Sequence, residues 1–389
     1  MNNYKSKQIA EDFKYLVKNL EETHPNPFLF TSKEDLEKAL NDLILKSRDI
    51  DKVTFFFELM KIFNKIKDSH TRVKGIGRIL SKAKYPIRIK YLGNKYYISS
   101  INPENKEYIG LEVLSLNQIP MEDVISRMSE IITYENEVVL SNSVEQWMYE
   151  PDLLKFLRIV DDSLILEVKA NDKVIKLKPI DISEKELYNP REEHIKDSET
   201  LNPKGLYWTK YYKDLNTYYL QYNKCEDITQ EQINRIINEI KENKVKFVVV
   251  DLRNNLGGSS LILDPLTKFL YENQDIYTPV VFLSNVTYSA AIINALNILN
   301  CKNSISIGTK TSGSPTKFGE TTTITLPNTH INIVISTKYF EEKGYTYGQP
   351  LIPKIQTKQT IKQYLDAVDV DWEEFLQQRL SLSNKNMLK

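Results

Sequence analysis

Three observations predict an α/β fold with a helical front end. From residue 217 onward, apolar strands and amphipathic helices alternate. The run Phe247-Val248-Val249-Val250 is apolar without a break, as expected of a strand covered on both faces. Before about residue 80 only helix-period stripes occur.

Taken in order, Ile9, Phe13, Leu16, Val17 and Leu20 recur at helical spacing until His24-Pro25-Asn26-Pro27 stops them. Thr31 and Ser32, followed by Glu34 and Asp35, signal the start of a second helix bearing Leu36, Leu40, Leu43 and Ile44. A third stripe, Phe56, Leu59, Met60 and Phe63, leads into Asp68-Ser69-His70-Thr71. Residues 1–80 therefore read as a helical bundle. The period then changes. Ile87, Ile89 and Tyr91 alternate with Arg88 and Lys90, and Gly93-Asn94 turns the chain into Tyr97-Ile98. Val113 to Gln118 gives a strand and turn, and a helix is expected from Met121. Leu164, Leu166 and Val168 form a strand that turns at Asn171-Asp172 into Val174–Leu177. Residues 81–182 thus read as a β-rich module with one helix, and the polar stretch 183–204 reads as a linker.

The remainder, within 183–389, is the α/β core. Tyr218–Tyr222 is a strand, and Thr229 with Gln232 opens a helix carrying Ile233, Ile236, Ile237 and Ile240. The loop Asp251-Leu252-Arg253-Asn254-Asn255-Leu256-Gly257-Gly258 follows the buried strand. A helix with Ile262, Leu266 and Phe269, strand Val280–Leu283, helix Ala290–Leu299 and strand Ile305–Ile307 come next. Thr321–Leu326 and His330–Ser336 read as a hairpin turning at Pro327-Asn328.

Composition narrows the function. The 389 residues are 41% hydrophobic and 27% charged, with 52 Lys and Arg against 52 Asp and Glu. Balanced charge supplies no long-range attraction to nucleic acid or an anionic membrane, so neither is expected as a partner. The opening residues carry no apolar signal core, and no apolar run is long enough to cross a bilayer. A cytoplasmic address with Cys225 and Cys301 reduced is the resulting expectation. With no His-Glu-x-x-His, no Cys-x-x-Cys and four histidines, no metal centre is expected. Gly75-Ile76-Gly77 lacks the third glycine of a dinucleotide fingerprint. There is no Walker loop, and the absence of Gly-x-Ser-x-Gly argues against an α/β-hydrolase.

Two loops after strands remain. Gly257-Gly258 can turn backbone amides toward an oxyanion, or simply make a tight turn into a helix. Ser289, in Thr287-Tyr288-Ser289-Ala290-Ala291, sits where a helix N-terminus favours developing negative charge. Taken alone it reads as an N-cap serine. His70, taken alone, reads as a turn residue.

Taken together these segments are more specific. Asp-Leu-Arg-Asn-Asn-x-Gly-Gly, then Thr-x-Ser-Ala-Ala, then Gly308-Thr309-Lys310-Thr311-Ser312-Gly313 closely resemble the tail-specific (C-terminal-processing) and tricorn-like serine peptidases, whose fold the interphotoreceptor retinoid-binding proteins share. The resemblance implies a crotonase/ClpP-like core and, from Pro86 through Gln118, a PDZ-like module. It makes Ser289 the nucleophile and gives the oxyanion hole to the amides of Gly257, Gly258 and Ala290. In the processing branch a Lys follows Gly-x-x-Thr-x-Gly, but Ser314 stands there, with Lys310 and Lys317 off the pattern. In the tricorn-like branch a His in a Ser-His context is the base, which Ser69-His70 fits. The tetrad's Glu has no counterpart near Pro353-Lys354. Tyr347, Glu341 and Glu342 are the nearest candidates to orient His70. The implied function is a cofactor-free serine peptidase acting on a peptide or protein. A non-hydrolytic binder of peptides or small apolar ligands and an amidase or esterase for one metabolite are the alternatives.

Overall fold

The structure is a computed structural model that describes residues 5–48, 50–169, 173–181 and 186–387, with side chains up to 380. The first four residues and the Asn171-Asp172 turn lie outside the described residues. The chain forms two compact units, Met1–Asn189 with Thr316–Gly344, and Pro190–Pro315 with Tyr345–Lys389.

In the first unit the three expected helices span Ser6–Thr23, Lys33–Lys46 and Lys52–Phe63. The first buries Ile9, Phe13, Leu16, Val17 and Leu20, the stripe that its sequence spacing aligns on one face. Ser32 caps the second by accepting the Asp35 N–H at 3.0 Å. Gly93 and Asn94 both adopt positive φ, so strands Ile87–Leu92 and Lys95–Ile101 join through the two-residue turn that suits a right-twisted hairpin. A four-stranded sheet holds Ile119–Pro120, Val113–Leu116, Leu164–Val168 and Val174–Leu177 in that order. Between these strands lie Met121–Ser129, Glu137–Trp147 and Pro151–Phe156, so the module has three helices where one was expected. Their sequences are short and mixed, and a continuous core gives them a face to bury.

The hairpin Lys317–Thr325/Asn332–Phe340 also belongs to this unit, although the sequence placed all of 183–389 in one core. Two contacts explain why. Strand Arg72–Lys74 pairs with Asn332–Phe340, setting Val73 opposite Ile333. Buried Asp12, on the first helix, accepts the N–H groups of Asn328 and Thr329 at 2.8 Å each and the Thr329 hydroxyl at 2.6 Å. A carboxylate taken out of water at that depth needs such donors. The hairpin tip supplies them.

The second unit is built on a six-stranded sheet ordered Ile355–Gln356, Ile305–Gly308, Thr278–Leu283, Phe247–Asp251, Thr217–Tyr222 and Tyr207–Tyr212. All neighbours are parallel except the last pair. Every residue of Phe247–Asp251 is buried. Val248 and Val250 pack toward helices Gln230–Glu242, Asp264–Glu272 and Ala290–Leu299, while Phe247 and Val249 face the opposite side. That side is covered by Trp372, Phe375 and Leu376 of the last helix, Val370–Met387, which the sequence reading did not identify. Helix Pro190–Ile195 lies inside the stretch expected to be a linker.

Candidate active site

Ser289 stands between strand Thr278–Leu283 and helix Ala290–Leu299 with φ 54° and ψ −120°. This is the conformation of the first central residue of a type II′ turn, usually filled by glycine, and it costs a side-chain-bearing residue roughly 1–3 kcal/mol. The Ser289 hydroxyl does not cap the helix, so the N-cap reading leaves the serine unexplained. Hydrogen bonds from the preceding loops hold the strained residue in place. Tyr288 N–H donates to Asn255 O at 3.0 Å, Thr287 Oγ1 to Leu252 O at 2.9 Å and Ser284 Oγ to Arg253 O at 2.6 Å. Behind them Gly313 N–H donates to Thr287 O at 3.0 Å, and a Cβ at 313 would lie 2.9 Å from Tyr288 Cα.

Gly257 is where this arrangement needs a residue without a side chain. At φ 105°, a Cβ there would come within 2.7 Å of Ser289 Cβ and 2.9 Å of Ala290 N. Its own N–H donates to buried Asn255 Oδ1 at 2.8 Å. The expectation that its amide faces an oxyanion is therefore corrected: Gly257 provides the close approach, and Asn255 takes its donor. Gly258, at φ 132°, lies against Cys225, where a Cβ would meet the carbonyl oxygen at 2.3 Å. Among the described residues the N–H groups of Gly258 and Ala290 have no acceptor. Two unsatisfied amides beside a serine on a helix N-terminus suit a tetrahedral oxyanion.

The Asp-Leu-Arg part of the motif has a separate, structural role. Buried Arg253 bonds Asp251 at 2.7 Å, Asp369 at 2.6 Å and Asp371 at 3.0 Å, tying the last helix to the loop. Burial lowers its pKa, but Asp251 and Asp369 outweigh that and hold the guanidinium charged.

The first unit holds His70 and Ser69. Lys67 is left-handed at φ 57°, and Thr71 N–H donates to Asp68 O at 3.0 Å, closing the turn that presents His70. Asp68 Oδ1 accepts the His70 backbone N–H at 3.0 Å and lies 3.7 Å from His70 Nδ1. Asp68 Oδ2 accepts from His24 Nε2 at 3.2 Å and from Ser336 Oγ at 2.6 Å. Burial raises the Asp68 pKa, but His24, His70 and Ser336 together hold it well below the usual carboxylate range. Ser69 donates its N–H and its hydroxyl to Glu135, at 3.2 and 2.9 Å. Burial raises the Glu135 pKa against the opposing pull of His70 and Ser69. Buried Lys317 stands near the same carboxylate, and burial lowers its pKa to about 8.

Of the three proposed orienters, Glu341 and Glu342 have exposed side chains, and the Glu342 N–H donates to Thr316 Oγ1 at 2.9 Å. Tyr347 is part-buried in the second unit. Around the His70 turn the structure adds Asp68, Glu135 and Ser336, which the sequence reading did not name as site residues. Asp68 had a local signal, since an Asp whose carboxylate accepts the N–H two residues on is a common turn former. Glu135 and Ser336 had none.

This architecture is found in solved structures. Mature CPAF complexed with lactacystin aligns over 98% of each chain at 12% identity and a TM-score of 0.66. The chain has the CPAF fold. A second structure of mature CPAF aligns over 96% of each chain, also at 12% identity and 0.66. A Parabacteroides merdae protein covers 96% of each chain at 14% identity and 0.53. No family model matches the sequence, and no curated protein matches it. The CPAF likeness spans both units, so helices, β module and sheet all belong to the shared fold.

Proposed function

We propose that the chain is a serine peptidase acting on a peptide or protein. Ser289 is the nucleophile and His70 the base that takes its proton, and the amides of Gly258 and Ala290 receive the oxyanion. The conformation of Ser289 carries this reading. A residue held at φ 54° beside Gly257 and two unbonded amides is an arrangement that structure maintains at a cost. The CPAF fold supports it, as do the ordered motifs. Residues 81–182 are read as a PDZ-like module that adds an extended peptide as a strand at a sheet edge, and the six-stranded unit as a crotonase/ClpP-like core. Cys225 and Cys301 are free, buried thiols, which suits the cytoplasm.

The test is covalent labelling by a fluorophosphonate. Wild type should label, and Ser289→Ala should keep its fold and lose the label. Equal labelling of both removes Ser289 from the reaction. No labelling of wild type favours a binding protein.

A further inference from the structure

We propose that Asp68 is the positioning residue for His70, the acid that none of the carried-over motifs supplies. It would hold the ring with its Nδ1 proton inward and Nε2 outward, and support the charge the ring acquires. The proposal rests on the reading of His70 as base.

The carboxylate is fixed at both oxygens. Oδ1 accepts the backbone N–H of the residue it is to orient and lies 3.7 Å from that residue's Nδ1. Oδ2 is clamped by His24 and Ser336, which come from a helix end 44 residues before Asp68 and a strand 268 residues after it. A carboxylate held this way cannot rotate away from the ring. Its clamps are also neutral. His24 Nδ1 accepts the Asn26 N–H at 3.1 Å, so the proton of His24 sits on Nε2 and is donated to Asp68. Ser336 donates through a hydroxyl. Neither cancels the negative charge, which is left to act on His70.

The other charged groups around this turn have different tasks. Glu135 bonds Ser69 through both oxygens, with Lys317 near it. The Arg72 guanidinium donates to the carbonyls of Ser69 and His70, at 3.0 and 3.4 Å. Glu135 and Arg72 secure the backbone on either side of the ring and Glu135 also acts on the ring through its charge, whereas Asp68 is the carboxylate that lies against Nδ1. At 3.7 Å the contact is longer than an N–H···O hydrogen bond and acts through charge. Removing such an acid from a His base leaves the fold while slowing the reaction by up to about 10⁴-fold, because the ring then adopts the wrong tautomer.

The experiment combines fluorophosphonate labelling rates with ¹⁵N NMR of the full-length chain, the His70 signal being assigned by its loss in His70→Gln. In wild type the neutral His70 ring should carry its proton on Nδ1. Asp68→Asn should move it to Nε2 and slow labelling on the order of 10³-fold, with circular dichroism unchanged. If His70→Gln labels like wild type, the base assignment itself is wrong. If His70→Gln is inert while Asp68→Asn labels within tenfold of wild type, the base stands and Asp68 is overturned. Should Asp68→Asn not fold, the wild-type spectrum decides: an Nδ1 proton upholds the proposal, and an Nε2 proton refutes it.

Discussion

Replacing Ser289 with glycine and, separately, with alanine isolates the strain at the proposed nucleophile. Both variants lack the hydroxyl, so both should be inert to the probe. They differ in Cβ. Alanine keeps it at φ 54°, ψ −120°, where a side chain costs roughly 1–3 kcal/mol. Glycine relieves that cost. Against this, glycine loses about 0.5–1 kcal/mol more conformational entropy on folding. The lost methyl contact is worth a few tenths of a kcal/mol at this part-buried site, by roughly 25 cal/mol per Å². Ser289→Gly should therefore be about 1 kcal/mol more stable than Ser289→Ala. Urea unfolding followed by circular dichroism measures the difference as a shift in midpoint at constant slope. If the alanine variant is the more stable, the residue is not strained, and the observation behind the proposed function is lost.

Gly257→Ala should destabilise by about 1–3 kcal/mol, since φ 105° disfavours a side chain, and should abolish Ser289 labelling by pushing that residue aside. Wild-type labelling by Gly257→Ala would mean that the close approach is irrelevant. Lys317 gives a pH-dependent prediction. A folded-state pKa near 8 against 10.5 corresponds to a cost of about 3 kcal/mol while the lysine is charged, less whatever Glu135 loses with its cation. Between pH 8 and 10.5 the unfolded chain binds more protons than the folded one, so wild-type stability should rise with pH across that window. Lys317→Met should be about 1–3 kcal/mol more stable at pH 7, with the advantage vanishing by about pH 10.5. Parallel pH profiles for the two proteins would refute a buried, charged lysine.

The sequence by itself determined what is local. The stripe from Ile9 to Leu20, the Ser32 cap, the Gly93-Asn94 turn and the fully buried strand Phe247–Asp251 all follow from periodicity and turn chemistry within a few residues. Gly257-Gly258 and Ser289 were legible for the same reason. Each lies just beyond the end of a parallel strand, and adjacent parallel strands bring their loops together. Sequence could equally have flagged the last helix, for Trp372, Phe375 and Leu376 are at helical spacing and Asp369 caps the Trp372 N–H at 3.0 Å. Tertiary structure alone decided the surroundings of His70. His24, Glu135 and Ser336 lie 46, 65 and 266 residues from it and reach its turn only through packing of helix, module and hairpin. It also decided that the Gly257 amide is taken by Asn255, since a backbone donor's partner depends on loop geometry that residue type does not encode. Buried charges need partners wherever the chain can bring them, and that requirement leaves no trace in local periodicity.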